Sequence, residues 1–152
     1  MKPLNVGPDA LWKERFRAPR VVSAELASGT GSRALVVSNQ SGLYQLYGLD
    51  IDSRAMTQLT DNPRGKLFGA ISADGRWVFY LRDEGGNEIG HFVRVPFEGG
   101  EAQDITPTLP PYSSFFISTS RDGKRIGMTA ATEAGKRRGQ KNLRISGATI
   151  RP

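Results

Sequence analysis

Two phrases 48 positions apart carry the same order of residue types. Ser72-Ala73-Asp74-Gly75-Arg76 runs directly into Trp77-Val78-Phe79-Tyr80-Leu81, and Ser120-Arg121-Asp122-Gly123-Lys124 runs into Arg125-Ile126-Gly127-Met128. Asp-Gly makes a tight reversal because glycine takes positive φ at no steric cost. An apolar stretch without helical spacing, entered straight from such a turn, reads as a strand. A second landmark agrees: Leu59-Thr60 recurs as Ile105-Thr106, 46 positions on. The two-residue difference is what a surface loop absorbs. The chain is therefore built on a repeat of about 45 residues.

Within the repeat the text is strand and turn. Residues 34–38, 43–51 and 55–60 read as strands, parted by Asn39-Gln40-Ser41-Gly42 and Asp52-Ser53-Arg54. The second unit has strands at 66–71, 77–81, 89–95 and 102–106, and the third at 112–117 and 126–129, with a further one beginning at 142–145. Four short strands in such a period are the size of a β-propeller blade. In Trp77–Leu81 both faces are apolar, with Trp77, Phe79 and Leu81 on one side and Val78 and Tyr80 on the other. A sheet covered on one side would alternate apolar with polar instead. This strand expects a packed neighbour on each face.

The expected fold is all-β: a partial β-propeller of about two and a half to three four-stranded antiparallel blades. Blade 1 spans about 28–61, blade 2 about 64–107 and a partial blade 3 about 112–152. Residues 1–27 are a lead-in. Asp9 is placed to cap a short helix through residues 11–16, Pro19 stops it, and Trp12 and Phe16 share a face. That face is expected to dock on the main body, a partner-binding peptide being the other reading.

Charge and composition remove several function classes. The formal net charge is +6, but residues 1–120 hold 12 Lys/Arg against 13 Asp/Glu, while residues 121–152 hold 9 against 2. The excess is local, centred on Lys136-Arg137-Arg138 with Lys141 and Arg144. No aromatic residue is interleaved there to stack bases, so a solvated loop is expected and nucleic acid is not an expected partner. With no cysteine there is neither disulfide nor thiolate. No stretch approaches the roughly 18 apolar residues of a membrane span, and the N-terminus lacks the apolar run of a signal peptide. No membrane partner and a cytoplasmic location are the expectation.

Candidate chemistry is sparse. His91 is the one histidine and has no Cys or paired acid at metal-ligand spacing. It is expected to be a blade residue held by a local hydrogen bond, with contact to a channel ligand as the alternative. Gly29-Thr30-Gly31-Ser32-Arg33-Ala34 fits a loose dinucleotide pattern, but a strand follows it where a phosphate loop needs a helix. Asp50-Ile51-Asp52 and Asp83-Glu84 are expected to be solvated turn acids, being too few for a calcium loop. Asn39-Gln40-Ser41 matches a glycosylation triplet and is read as a turn. No catalytic, cofactor-binding or metal-ligating residue is expected, and no cofactor.

The motif Ser72-Ala73-Asp74-Gly75-Arg76, with Gly99-Gly100 and the closing Ile105-Thr106, resembles the TolB/PD40 class of propeller repeats. The segment Asn87-Glu88-Ile89-Gly90-His91-Phe92-Val93-Arg94-Val95-Pro96-Phe97 is similar to the N-terminal propeller of the prolyl oligopeptidase/acylaminoacyl-peptidase family of serine peptidases, and Phe16-Arg17-Ala18-Pro19 adds to that. The likeness spans about residues 15–130. It implies a non-catalytic propeller fragment that restricts peptide access to a hydrolase domain missing from this chain. No serine here has glycine at both −2 and +2, so no Gly-x-Ser-x-Gly elbow is present. The rival reading is a TolB-like binding or scaffold module. A propeller closes with four to eight blades, so the chain is expected to be a fragment whose partners are a hydrolase domain or further blades. Self-association through exposed blade faces is the other route to closure.

Overall fold

The computed structural model describes residues 5–131 and the backbone of 143–149. Both Ser-x-Asp-Gly phrases close the same corner. The Ser72 hydroxyl donates to Asp74 Oδ1 at 2.6 Å and accepts the Trp77 N–H at 2.9 Å, while Asp74 Oδ1 also accepts the Arg76 N–H. In the next unit Ser120 donates to Asp122 at 2.6 Å and accepts the Arg125 N–H at 2.9 Å. Gly75 and Gly123 both stand at φ 69°, in the left-handed region. The serine, the acid and the glycine are each needed to satisfy this one turn.

Around these corners the chain forms three antiparallel sheets. Blade 1 runs β1 (Val21–Leu26), β2 (Arg33–Ser38), β3 (Gln45–Asp50) and β4 (Met56–Gln58) in spatial as well as chain order. Blade 2 runs β5 (Ala70–Ile71), β6 (Trp77–Asp83), β7 (Ile89–Pro96) and β8 (Gln103–Asp104). Blade 3 has β10 (Ile117–Thr119), β11 (Arg125–Ala130) and β12 (Leu143–Thr149). Between the last two blades β9 (Tyr112–Ser113) pairs with the start of β7, and Ser113 also bridges to Ala131.

Several strands differ from the sequence expectation: the one expected over 66–71 is confined to Ala70–Ile71 and the one over 102–106 to Gln103–Asp104. The sequence reading places residues 21–26 in the lead-in, yet they form the first strand of blade 1. Val21-Val22-Ser23-Ala24-Glu25-Leu26 shows no alternation because β1 is an edge strand exposed along its whole length. The third unit was expected to open with one strand over 112–117. Instead Tyr112 and Ser113 belong to blade 2's sheet, and β10 starts at Ile117.

The core is a pair of blade-to-blade interfaces, and β6 serves both. Val78 and Tyr80 pack with Leu35, Val37 and Leu46 of blade 1. Phe79 and Leu81 pack with Tyr112, Ile117, Ile126 and Met128 on the blade 3 side, with Trp77 against the same cluster. Val78 and Phe79 are both 0% exposed although they point in opposite directions. Burying Phe79 contributes on the order of 3 kcal/mol. On β11 only one face is buried: Ile126, Met128 and Ala130 alternate with Arg125, Gly127 and Thr129.

A partial propeller, with exposed blade faces, would leave the far face of blade 1 open. Instead Ala34, Val36 and Tyr47 there are at most 3% exposed, with Leu49 and Met56 packed alongside. The Tyr47 hydroxyl donates to Ser41 at 2.8 Å, which holds the ring along the sheet.

The lead-in helix α1 (Leu11–Arg17) stops as expected, because Ala18 precedes Pro19 and is forced into extended backbone. Its N-cap is Ala10 with no side-chain cap bond, so Asp9 does not fill that role. Trp12 donates to the Asn5 carbonyl at 2.6 Å, and Leu11 and Trp12 are exposed.

Candidate binding site

The three innermost strands, β1, β5 and β10, belong to different blades, and β5 contacts both of the others. The Thr119 hydroxyl on β10 donates to the Ile71 carbonyl on β5 at 3.3 Å. The Ile71 N–H faces the Glu25 carboxylate on β1 and acts to lower its pKa. β5 is thus bonded to β10 and packed beside β1. Gly29 approaches so closely that its N–H reaches the Ala73 carbonyl at 2.7 Å, and an added Cβ would sit 2.7 Å from that oxygen.

A cleft of about 490 Å³ lies on this side, walled by Glu25 and Leu26, by Ala70 and Ile71, and by Ile117–Thr119. Phe68, Phe116 and Arg121 complete its lining. Phe68 and Phe116 are 42% and 52% exposed and occupy the same place in successive repeats, each just before an innermost strand. The cleft walls desolvate the Glu25 carboxyl and push it above the usual carboxylate range, against the smaller opposing effect of the Ile71 N–H. The site offers a carboxyl group, a guanidinium, two rings and strand edges.

The residues singled out by sequence lie elsewhere. His91, on β7, has Nδ1 2.6 Å from Asp104 Oδ2 and stacks on Tyr112 with centroids 5.7 Å apart. This local bond is the one expected of a blade residue, and His91 does not line the cleft. Burial pushes the Asp104 carboxyl up, but the Thr106 N–H and His91 outweigh it and hold it low. Gly29–Ser32 lies in the β1–β2 turn, and Arg33 and Ala34 begin β2. Asn39 Oδ1 accepts the Arg20 N–H at 2.6 Å, closing the end of that hairpin. Asp50 accepts the Ser53 N–H and hydroxyl in its turn. Asp83 departs from its expected role as a solvated turn acid: its side chain is 3% exposed and paired with Lys66. No group of three or more metal-ligating side chains occurs among the described residues. Lys136, Arg137, Arg138 and Lys141 lie outside them.

Sequence reasoning missed three organising side chains. Gln45 is buried; its amide donates to the Asn62 carbonyl at 2.7 Å and accepts from the Thr60 hydroxyl at 2.7 Å, which fixes the link from blade 1 to blade 2. The buried Tyr112 hydroxyl accepts the Phe92 N–H at 2.8 Å and lies 2.9 Å from Thr106 Oγ1. Lys66 neutralises Asp83. None carries a local motif, since each partner is reached only in the folded chain.

No protein-family model and no curated protein matches the sequence at a significant level. Solved structures do match the fold. A putative TolB from Agrobacterium tumefaciens superposes with a TM-score of 0.58 at 22% identity, covering 74% of this chain and 39% of its own. An oligogalacturonate lyase from Vibrio parahaemolyticus gives 0.54 at 20% identity, covering 80% and 32%. An oligogalacturonate lyase in complex with manganese gives 0.53 at 20% identity, covering 72% and 28%. The chain is all-β, with sheets that form propeller blades of the TolB-like kind, and it spans less than two fifths of each of these proteins.

Proposed function

We propose that this chain is the binding part of a propeller, a TolB-like scaffold module whose channel-side cleft takes an extended partner segment and which performs no chemistry of its own. The observation behind this is the repetition of an exposed ring, Phe68 and then Phe116, ahead of successive innermost strands that line one cleft. Rings flanking strand edges suit an extended chain, whose backbone meets the edges while its side chains meet the rings. Glu25 and Arg121 add charge of both signs to the same walls.

A random peptide library displayed on phage and selected on the immobilised full chain tests this. Enriched peptides are expected to lose roughly tenfold in affinity against Phe116→Ala, about 1.4 kcal/mol. No enrichment over the bare support, or enrichment indifferent to Phe116→Ala and Arg121→Gln, would sink the proposal.

Closing a ring from these blades needs more of them, from further sequence or from a second copy; the size of the chain in solution separates the two. The narrower reading, in which the blades gate a serine-peptidase domain, has the resemblance of residues 87–97 behind it. Those residues form β7 and its flanks. A Gly-x-Ser-x-Gly segment encoded downstream of Pro152 would be its support.

A further inference from the structure

A second pocket, of about 370 Å³, opens where the segment entering β5, the β6–β7 loop and the segment entering β10 meet. Its volume falls in the roughly 300–1,000 Å³ range of small-molecule sites. Lys66 and Asp83 line it as an ion pair, and the second Asp83 oxygen accepts the Glu88 N–H at 3.2 Å. These two charges satisfy one another. The apolar lining is Leu81 with Leu67, Phe68 and Phe115, and Phe115 is 70% exposed.

Two further charges line the same pocket, Arg64 and Glu88. Neither enters the ion pairs of the described residues, where Arg33 meets Glu98, Lys66 meets Asp83, Arg76 meets Asp74 and His91 faces Asp104. The Arg64 stem is laid against the β6–β7 loop at Gly86, where an added Cβ would come 3.1 Å from Arg64 Cγ. Glu88 sits at φ 58°, a left-handed conformation that costs a residue with a side chain energy and is held here by its N–H bond to Asp83. Opposite charges are therefore presented to one apolar pocket without cancelling each other.

We propose that this pocket binds a small zwitterion with an apolar body, of the class of an aromatic or branched α-amino acid. Arg64 takes the carboxylate, Glu88 takes the ammonium group, and the side chain lies among Leu81, Phe68 and Phe115. Charge-assisted bonds at both ends supply orientation, and the rings supply burial. Phe68 lines both cavities, but Arg64, Glu88 and Phe115 line only this pocket and Phe116 and Arg121 only the cleft, so substitutions there separate the two proposals.

L-phenylalanine titrated into the isotope-labelled full chain, followed by amide NMR, tests it. Saturable shifts are expected at residues 64–68, 83–88 and 114–115. Phenethylamine, lacking the carboxylate, and 3-phenylpropionate, lacking the ammonium group, should each bind about tenfold more weakly, the loss of one charge-assisted bond. Arg64→Gln should weaken L-phenylalanine and phenylpropionate but spare phenethylamine, and Glu88→Gln should do the reverse. Phe116→Ala should leave all three unchanged, and the dispersion of each variant's spectrum reports its folding. Absence of saturable shifts, equal binding of the two analogues and the amino acid, or indifference to both Arg64→Gln and Glu88→Gln would overturn the proposal.

Discussion

The Thr119 hydroxyl donates to the Ile71 carbonyl at 3.3 Å, and the two residues stand 48 apart, at the same place in successive repeats. The bond joins the innermost strands of blades 2 and 3 where no backbone ladder does. On its other side the Ile71 N–H faces the Glu25 carboxylate of β1. Apolar faces hold the blades together. The Thr119 bond adds one polar link at their inner edge.

Thr119→Val keeps the shape and removes the donor. It should cost about 0.5–1.5 kcal/mol, read as a lowered urea midpoint, while Thr119→Ser should restore most of the loss. A valine variant as stable as the parent would show the tie to be dispensable.

Gly75 and Gly123 share φ 69° but not their surroundings. A Cβ on Gly75 would sit 2.9 Å from Arg33 Cδ and 3.0 Å from Thr30 Cγ2, whereas on Gly123 the nearest atom is 4.0 Å away. Gly123→Ala should therefore lose about 1–2 kcal/mol from the left-handed backbone alone, and Gly75→Ala more. Equal losses in chemical denaturation would refute the crowding argument.

Lys66 and Asp83 are 13% and 3% exposed at their side chains. Lys66→Met strands a buried carboxylate and should cost about 3 kcal/mol, the lower end for a broken buried pair because Lys66 keeps some solvent. Adding Asp83→Asn removes the stranded charge and keeps an acceptor for the Glu88 N–H. The double variant should regain most of the stability; a double variant no better than the single one contradicts this.

Acid should unfold the chain through five aspartates. Asp122 and Asp50 are held below the ordinary 3.8 by hydrogen bonds, chiefly from the Ser120 hydroxyl and the Ser53 N–H. At Asp74, Asp83 and Asp104 burial pushes upward, but the donors Ser72 and Arg76, Lys66 and Glu88, and Thr106 and His91 prevail. A folded value below the unfolded one means that the stabilisation is complete above about pH 4 and is lost as pH falls through the depressed values. Urea midpoints should be flat between about pH 7 and 5 on this account and drop toward pH 3. Ser72→Ala with Ser120→Ala should flatten the drop. Midpoints indifferent to pH 3 would count against it.

What the sequence determined by itself is local and periodic. The Asp-Gly corners, the repeat of about 45 residues and the two-faced strand Trp77–Leu81 follow from turn chemistry and alternation within some ten residues, and the blades follow from them. The innermost strand Val21–Leu26 was not legible, because an edge strand exposed along its length carries no alternation to read. The assignment of Tyr112 to blade 2 was equally hidden, since its pairing with Gly90 reaches back 22 residues. Asp83 looked like any turn acid until Lys66, 17 positions earlier, was folded onto it. The candidate sites belong wholly to this second class. Phe68 and Phe116, or Arg64 and Glu88, come to line one cavity only when separate blades or loops are brought side by side. Only tertiary packing, driven by the apolar faces of β6, makes that choice.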